Sequence, residues 1–127
     1  MMSTVVRMGR PSDDAVELLH EIAATLGAAG PVELGTMFHN PGIRTGTKIV
    51  AFIGSDDRLI VKVPRERALE LIEQGRAAPL SMGRRTMREW IEVPAGDDLH
   101  TADPSKTLET WSALTRESFD YVRSLLG

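Results

Sequence analysis

Lys48-Ile49-Val50-Ala51-Phe52-Ile53-Gly54, then Ser55-Asp56-Asp57, then Arg58-Leu59-Ile60-Val61-Lys62-Val63, is the stretch on which the fold turns. Both flanking runs are rich in β-branched and large apolar residues, which fit a pleated, buried surface. The three residues between them are small or acidic and suit a tight reversal. So short a connection predicts antiparallel neighbours in one sheet. In the second run Leu59, Val61 and Val63 share one face, and Arg58, Ile60 and Lys62 share the other.

Working upstream, Val32, Leu34, Thr36 and Phe38 alternate with Glu33, Gly35 and Met37, which predicts a strand with one buried face. His39-Asn40-Pro41-Gly42 reads as a loop, because Asn-Pro and Pro-Gly both punctuate. Ile43-Arg44 is then a short strand and Thr45-Gly46 a turn. Before the strands, Ala15, Leu18, Leu19, Ile22 and Leu26 recur at helical spacing. They predict a helix over 12–26, capped by Ser12 or Asp13 and stopped by Gly27 and Gly30-Pro31. The preceding segment, 1–11, is expected to be a flexible lead-in to a single domain over 12–127.

Downstream, Pro64 starts a helix over Arg65–Gln74 with Ala68, Leu69 and Ile72 on its apolar face. Ala77 to Met82 is an edge strand or an irregular segment, given Pro79. Thr86 to Val93 alternates Met87, Glu89, Ile91 and Val93 against Arg88, Trp90 and Glu92, as a strand does. Asp103-Pro104 opens a long final helix bearing Leu108, Trp111, Thr115, Phe119, Val122 and Leu126. The order predicts an α+β two-layer sandwich, an antiparallel sheet with flanking helices. The sheet face away from the helices is expected to meet solvent or a second subunit.

The chain has 127 residues, a net charge of −3 and no cysteine. Disulfides, thiolate metal sites and cysteine nucleophiles are therefore excluded. No apolar run is long enough to span a bilayer, and the first residues lack a secretory pattern, so the expected compartment is the cytoplasm. The modest total conceals an uneven distribution. Residues 58–88 carry eight basic against three acidic groups, whereas 1–57 carry four against seven and 89–127 three against eight. A local basic surface is thus compatible with an acidic chain.

No Gly-rich phosphate loop, nucleophile elbow or Ser-His-Asp arrangement is present, so no catalytic residue, metal or cofactor is expected. Two candidate sites emerge. Arg76, Arg84, Arg85 and Arg88 can contact phosphate or an acidic partner, with Trp90 available to stack on a base. The alternative has Arg84 and Arg85 as solvated loop residues, Arg88 facing Glu92 or a cross-strand acid, and Trp90 packed against a helix. His39 and Asn40 form a second candidate, a ligand loop that would act with Glu33 or Asp57. His20 reads as a surface residue and His100 as part of a solvated acidic loop.

Several of these segments together resemble a known family. Gly35-Thr36-Met37-Phe38, Pro41-Gly42-Ile43-Arg44, Thr45-Gly46-Thr47-Lys48-Ile49-Val50-Ala51 and Asp57 to Val63 are similar to the TfoX (Sxy) N-terminal domain. Trp111, Leu114 and Glu117-Ser118-Phe119-Asp120-Tyr121-Val122 fit its tail. That tail and Pro64-Arg65-Glu66-Arg67-Ala68 also resemble the related MmcQ/YjbR-like proteins. The likeness spans about residues 12–126 and stops after the first TfoX domain. It departs at His39-Asn40-Pro41, where the family usually has glycines. It implies a fold of the TfoX and secretion-chaperone-like kind, with no catalytic signature. It also implies a regulatory or interaction module, transcription-related, acting through a protein partner or weak nucleic-acid contact, with a homodimer expected. The competing expectation is a small-molecule-binding protein or enzyme with its site at the His39 loop.

Overall fold

The structure is a computed structural model and describes residues 11–37, 40–82 and 85–126, with the side chains of 37, 81, 82 and 85–87 outside that description. The chain runs α1 (Asp13–Leu26), β1 (Glu33–Met37), β2 (Asn40–Thr45), β3 (Lys48–Ile53), a 3-10 turn (Ser55–Asp57), β4 (Leu59–Lys62), α2 (Arg65–Glu73), β5 (Ala78–Met82), β6 (Arg85–Val93) and α3 (Ser105–Leu126). The six strands form one antiparallel sheet in the order β1-β2-β3-β4-β6-β5. The fold is the expected α+β sandwich. None of the helices described is long and apolar enough to cross a membrane.

α1 starts where Ser12 accepts a hydrogen bond from the Ala15 amide at 3.2 Å. Its stripe of Ala15, Leu18, Leu19, Ile22 and Leu26 is buried as the spacing requires. α3 begins differently. Its flanking Pro104 has no side-chain acceptor, and Asp98 takes over from the loop before it. Asp98 accepts from the amides of Lys106 (2.7 Å) and Thr107 (3.2 Å) and from the Thr107 hydroxyl (2.6 Å). These bonds hold the Asp98 carboxyl below the ordinary carboxylate range, the Thr107 hydroxyl contributing most.

The main core lies between the helices and one sheet face. Trp111, Leu19, Ile43, Ile53, Leu59 and Ile91 are among its fully buried side chains. Leu59, Val61 and Val63 point into it together, as their alternation requires. The opposite face is not bare. Phe52, Ile60 and Leu80 form a second buried cluster there, with Ile49 and Trp90 packed on it.

Three local expectations are corrected. Leu34 and Thr36 do not make a buried face, for β1 is an edge strand and Leu34 is half exposed, whereas Val32 just before it packs on the main core and Phe38 lies outside the described residues. Asn40 to Gly42 is strand rather than loop, with Pro41 opposite Thr36. Pro41 is accommodated because the pairing of β2 with β3 begins only at Gly42. α2 buries Ala68 and Leu71, whereas Leu69 faces outward.

Candidate functional site

At one end of the sheet β3 begins, β4 ends and the inner part of β6 passes between β4 and β5. Two interruptions of the hydrogen-bond ladder meet there, and each has a named cause. The first lies between β5 and β6. Pairing jumps from Pro79↔Ile91 to Leu80↔Met87, leaving Arg88, Glu89 and Trp90 without partners on β5. Pro79 has no amide hydrogen to donate, so the ladder breaks at its side. Trp90 and Arg88 thereby line a groove of about 390 Å³ with Arg65, Ala68, Leu69 and Ile72 of α2.

The second interruption lies between β3 and β4. The Gly54 amide bonds the Arg58 carbonyl at 2.8 Å, which makes these two a hydrogen-bonded pair. Such pairs recur every second residue in an antiparallel ladder, so Phe52/Ile60 and Val50/Lys62 should follow. At Val50/Lys62 the direct bond is replaced. The Ser118 hydroxyl, carried in by α3, accepts from the Lys62 amide at 3.2 Å and donates to the Val50 carbonyl at 2.7 Å. Val50 is also the extra residue where the β2–β3 register shifts, between Ile43↔Ala51 and Arg44↔Ile49. The strands separate past this wedge. A pocket of about 250 Å³ opens between them, lined by Lys48, Ile49, Lys62, Trp90, Val122 and Leu125, with Thr47 at its mouth.

Trp90 stands between the two breaks and is a wall of both pockets. It also forms part of a third groove, of about 420 Å³, with Lys62, Arg65, Arg88 and Glu89. Its ring lies 6.0 Å from that of Phe52 at a tilt of 59°. The Lys62 ammonium sits 6.0 Å from its centroid, at the outer limit of a cation–π contact. Lys62 also meets Glu89 at 3.8 Å. The other Glu89 oxygen accepts a 2.5 Å bond from the Tyr121 hydroxyl, which raises the Tyr121 pKa above its ordinary value. Arg65 and Arg88 are exposed and make no ion pair among the described residues. Three cations against one carboxylate leave this groove positively charged.

The four arginines singled out from the sequence are not gathered as a set. Arg88 is in the groove. Arg76 lies between α2 and the start of β5, bonded to Gln74 at 3.3 Å, while Arg85 opens β6 opposite Met82 at the other end of β5. The Arg85 side chain and all of Arg84 lie outside the described residues. The second candidate is in the same position for His39, while Asn40 begins β2 opposite Met37. Its two proposed acids are engaged elsewhere. Glu33 pairs with Arg44 at 3.2 Å, and Asp57 accepts the Ser12 amide at 2.8 Å.

Alternation along β6 places Trp90 with Arg88 and Glu92 opposite Glu89 and Ile91, on the face of Phe52 and Ile60, while residues of α2 and α3 share its grooves. Lys62 and Arg65 were not among the candidates. Their signal was present in Lys62-Val63-Pro64-Arg65, where a strand end and a helix start place two cations at one corner. His100 also departs from expectation: its Nδ1 lies 2.7 Å from Asp14 and its Nε2 3.7 Å from Asp57, so it links two other segments. The described residues contain no group of three His, Asp or Glu side chains placed to hold a metal ion.

No family model, curated protein or solved structure matches this chain.

Proposed function

We propose that this chain is a non-enzymatic interaction module of the TfoX-like kind that contacts single-stranded nucleic acid weakly at Trp90. The supporting observation is one juxtaposition. A half-buried indole lies in a groove with Lys62, Arg65 and Arg88, and the two arginines have no acidic partner among the described residues. Any base can stack on an aromatic face, and guanidinium groups hold phosphates in a planar fork. One aromatic and two free cations make a short site, which suits weak contact within a larger regulatory assembly. On this reading the module works in the cytoplasm. It pairs with a second copy along β1, where Leu34 lies half exposed on an edge strand.

The test uses the two tryptophans. Trp111 is fully buried, so quenching by added ligand reports Trp90. Titration with a short oligothymidylate should quench fluorescence, and log affinity should fall with log salt at a slope of about −1.5, as for two phosphates on a single strand. Arg65→Ala or Arg88→Ala should each lower the slope by about 0.7. Quenching that ignores salt, or survives both replacements unchanged, overturns the reading.

A further inference from the structure

The pocket between β3 and β4 has a different character from the arginine groove beside it. Its walls are apolar, formed by Ile49, Val122, Leu125 and one side of Trp90, and its cations are Lys48 and Lys62. Among the described residues that line it there is no carboxylate. It exists because a serine occupies the place of a strand–strand hydrogen bond. A continuous ladder would draw β3 and β4 together at this point, and the usual separation of paired strands, about 4.8 Å, leaves no room for a ligand. The wedge has a second consequence. The lining draws on both sides of the sheet, Val122 and Leu125 from α3 on one and Trp90 from the cluster on the other.

We infer that this slot binds a small amphiphilic carboxylate, a medium-chain or bicyclic aromatic acid. The hydrocarbon part would lie among Ile49, Val122, Leu125 and Trp90, with the carboxylate at Lys48 and Lys62. Charge and polarity both select this class. Lys48 is exposed and makes no ion pair among the described residues, so an entering anion displaces no partner there. Lys62 is shared with Glu89 at 3.8 Å, a loose contact that a carboxylate can extend into a three-group network. A neutral apolar molecule would leave Lys48 without a counter-charge. A phosphate alone would leave the four apolar walls uncovered. About 250 Å³ suits a compact acid and is small beside typical drug-sized sites.

The inference shares Trp90 and Lys62 with the nucleic-acid reading but does not depend on it, and Arg88 and Lys48 separate the two. Octanoate and 2-naphthoate are titrated into the full chain and followed by amide chemical shifts, with octanamide and 2-naphthamide as neutral controls. The expected result is saturable shifts at Ile49, Lys62, Val122 and Leu125 with midpoints at or below about 1 mM. The amides should bind at least tenfold more weakly. Lys48→Glu, a change at an exposed side chain, should weaken the acids by about tenfold. Leu125→Trp, which fills the slot from the exposed end of α3, should abolish binding while the chain stays folded. Arg88→Ala should leave the acids unaffected while weakening oligothymidylate. Equal binding of acid and amide, absence of saturable shifts, or shifts indifferent to both Lys48→Glu and Leu125→Trp would each refute the inference.

Discussion

Replacing Ser118 with alanine tests the wedge directly. Ser118 is fully buried, and its hydroxyl is the partner of two backbone groups, the Lys62 amide at 3.2 Å and the Val50 carbonyl at 2.7 Å. Ser118→Ala removes one small polar group and orphans two others. A buried donor or acceptor left unpaired costs about 1–3 kcal/mol. Two such groups, partly relieved by local adjustment, predict a loss of about 2–4 kcal/mol. The full relief would be closure of β3 onto β4 with a direct bond, but α3 holds both strands by its own packing. With a urea m-value of about 1.5–2 kcal/mol/M for a chain of this size, the midpoint should fall by about 1–2 M. Native-state hydrogen exchange supplies the local readout, with the Lys62 amide losing far more protection than that of Gly54 at the closed end. A midpoint within about 0.2 M of the parent, with Lys62 protection unchanged, would show that the hydroxyl does not separate the strands.

Other outcomes follow from the same packing. The Thr115 hydroxyl is buried on α3 with no hydrogen-bond partner among the described residues, so Thr115→Val should stabilise by about 1 kcal/mol and raise Tm by a few degrees in calorimetry. A Cβ at Gly42 would stand 2.9 Å from the Ala51 carbonyl oxygen, backbone that cannot move aside, so Gly42→Ala should cost about 1–3 kcal/mol in urea titration. Asp98 titrates below its ordinary 3.8 when folded, so it stabilises the fold above that pH and the contribution is lost as pH falls through its lowered value. The urea-midpoint gap between the parent and Asp98→Ala should therefore be fully open well above pH 3.8 and narrow as the pH falls below it.

The sheet and its helices were legible because their signals are local and repetitive. The alternation of Leu59, Val61 and Val63 and the stripe from Ala15 to Leu26 each report a buried face without reference to distant residues. β1 misled, because alternation shows which residues share a face but not whether a helix covers that face. Pro41-Gly42 misled for a related reason: a proline reads as a stop unless the neighbouring strand happens not to need its donor. The candidate site was legible only in fragments. Arg88 was one of four candidate arginines, and Trp90, on the same face of the same strand, was named beside them. Lys62 and Arg65 join them only through strand order, which places β4 beside β6. Ser118 carried no signal, because its two partners lie 68 and 56 residues away. A serine at a helical position reads as neutral until the strands beneath it are known.

The two ends of the β3–β4 pair differ in how firmly they are held. At one end the Gly54–Arg58 bond closes the turn, Asp57 grips the Ser12 amide, and His100 reaches both Asp14 and Asp57. At the other end the Ser118 hydroxyl takes the place of a direct strand-to-strand bond. The pair is therefore closed at its turn and parted at Trp90. The Ile53↔Leu59, Phe52↔Ile60 and Ala51↔Val61 pairs carry the closed part to within one residue of the wedge, so the slot begins where that ladder stops.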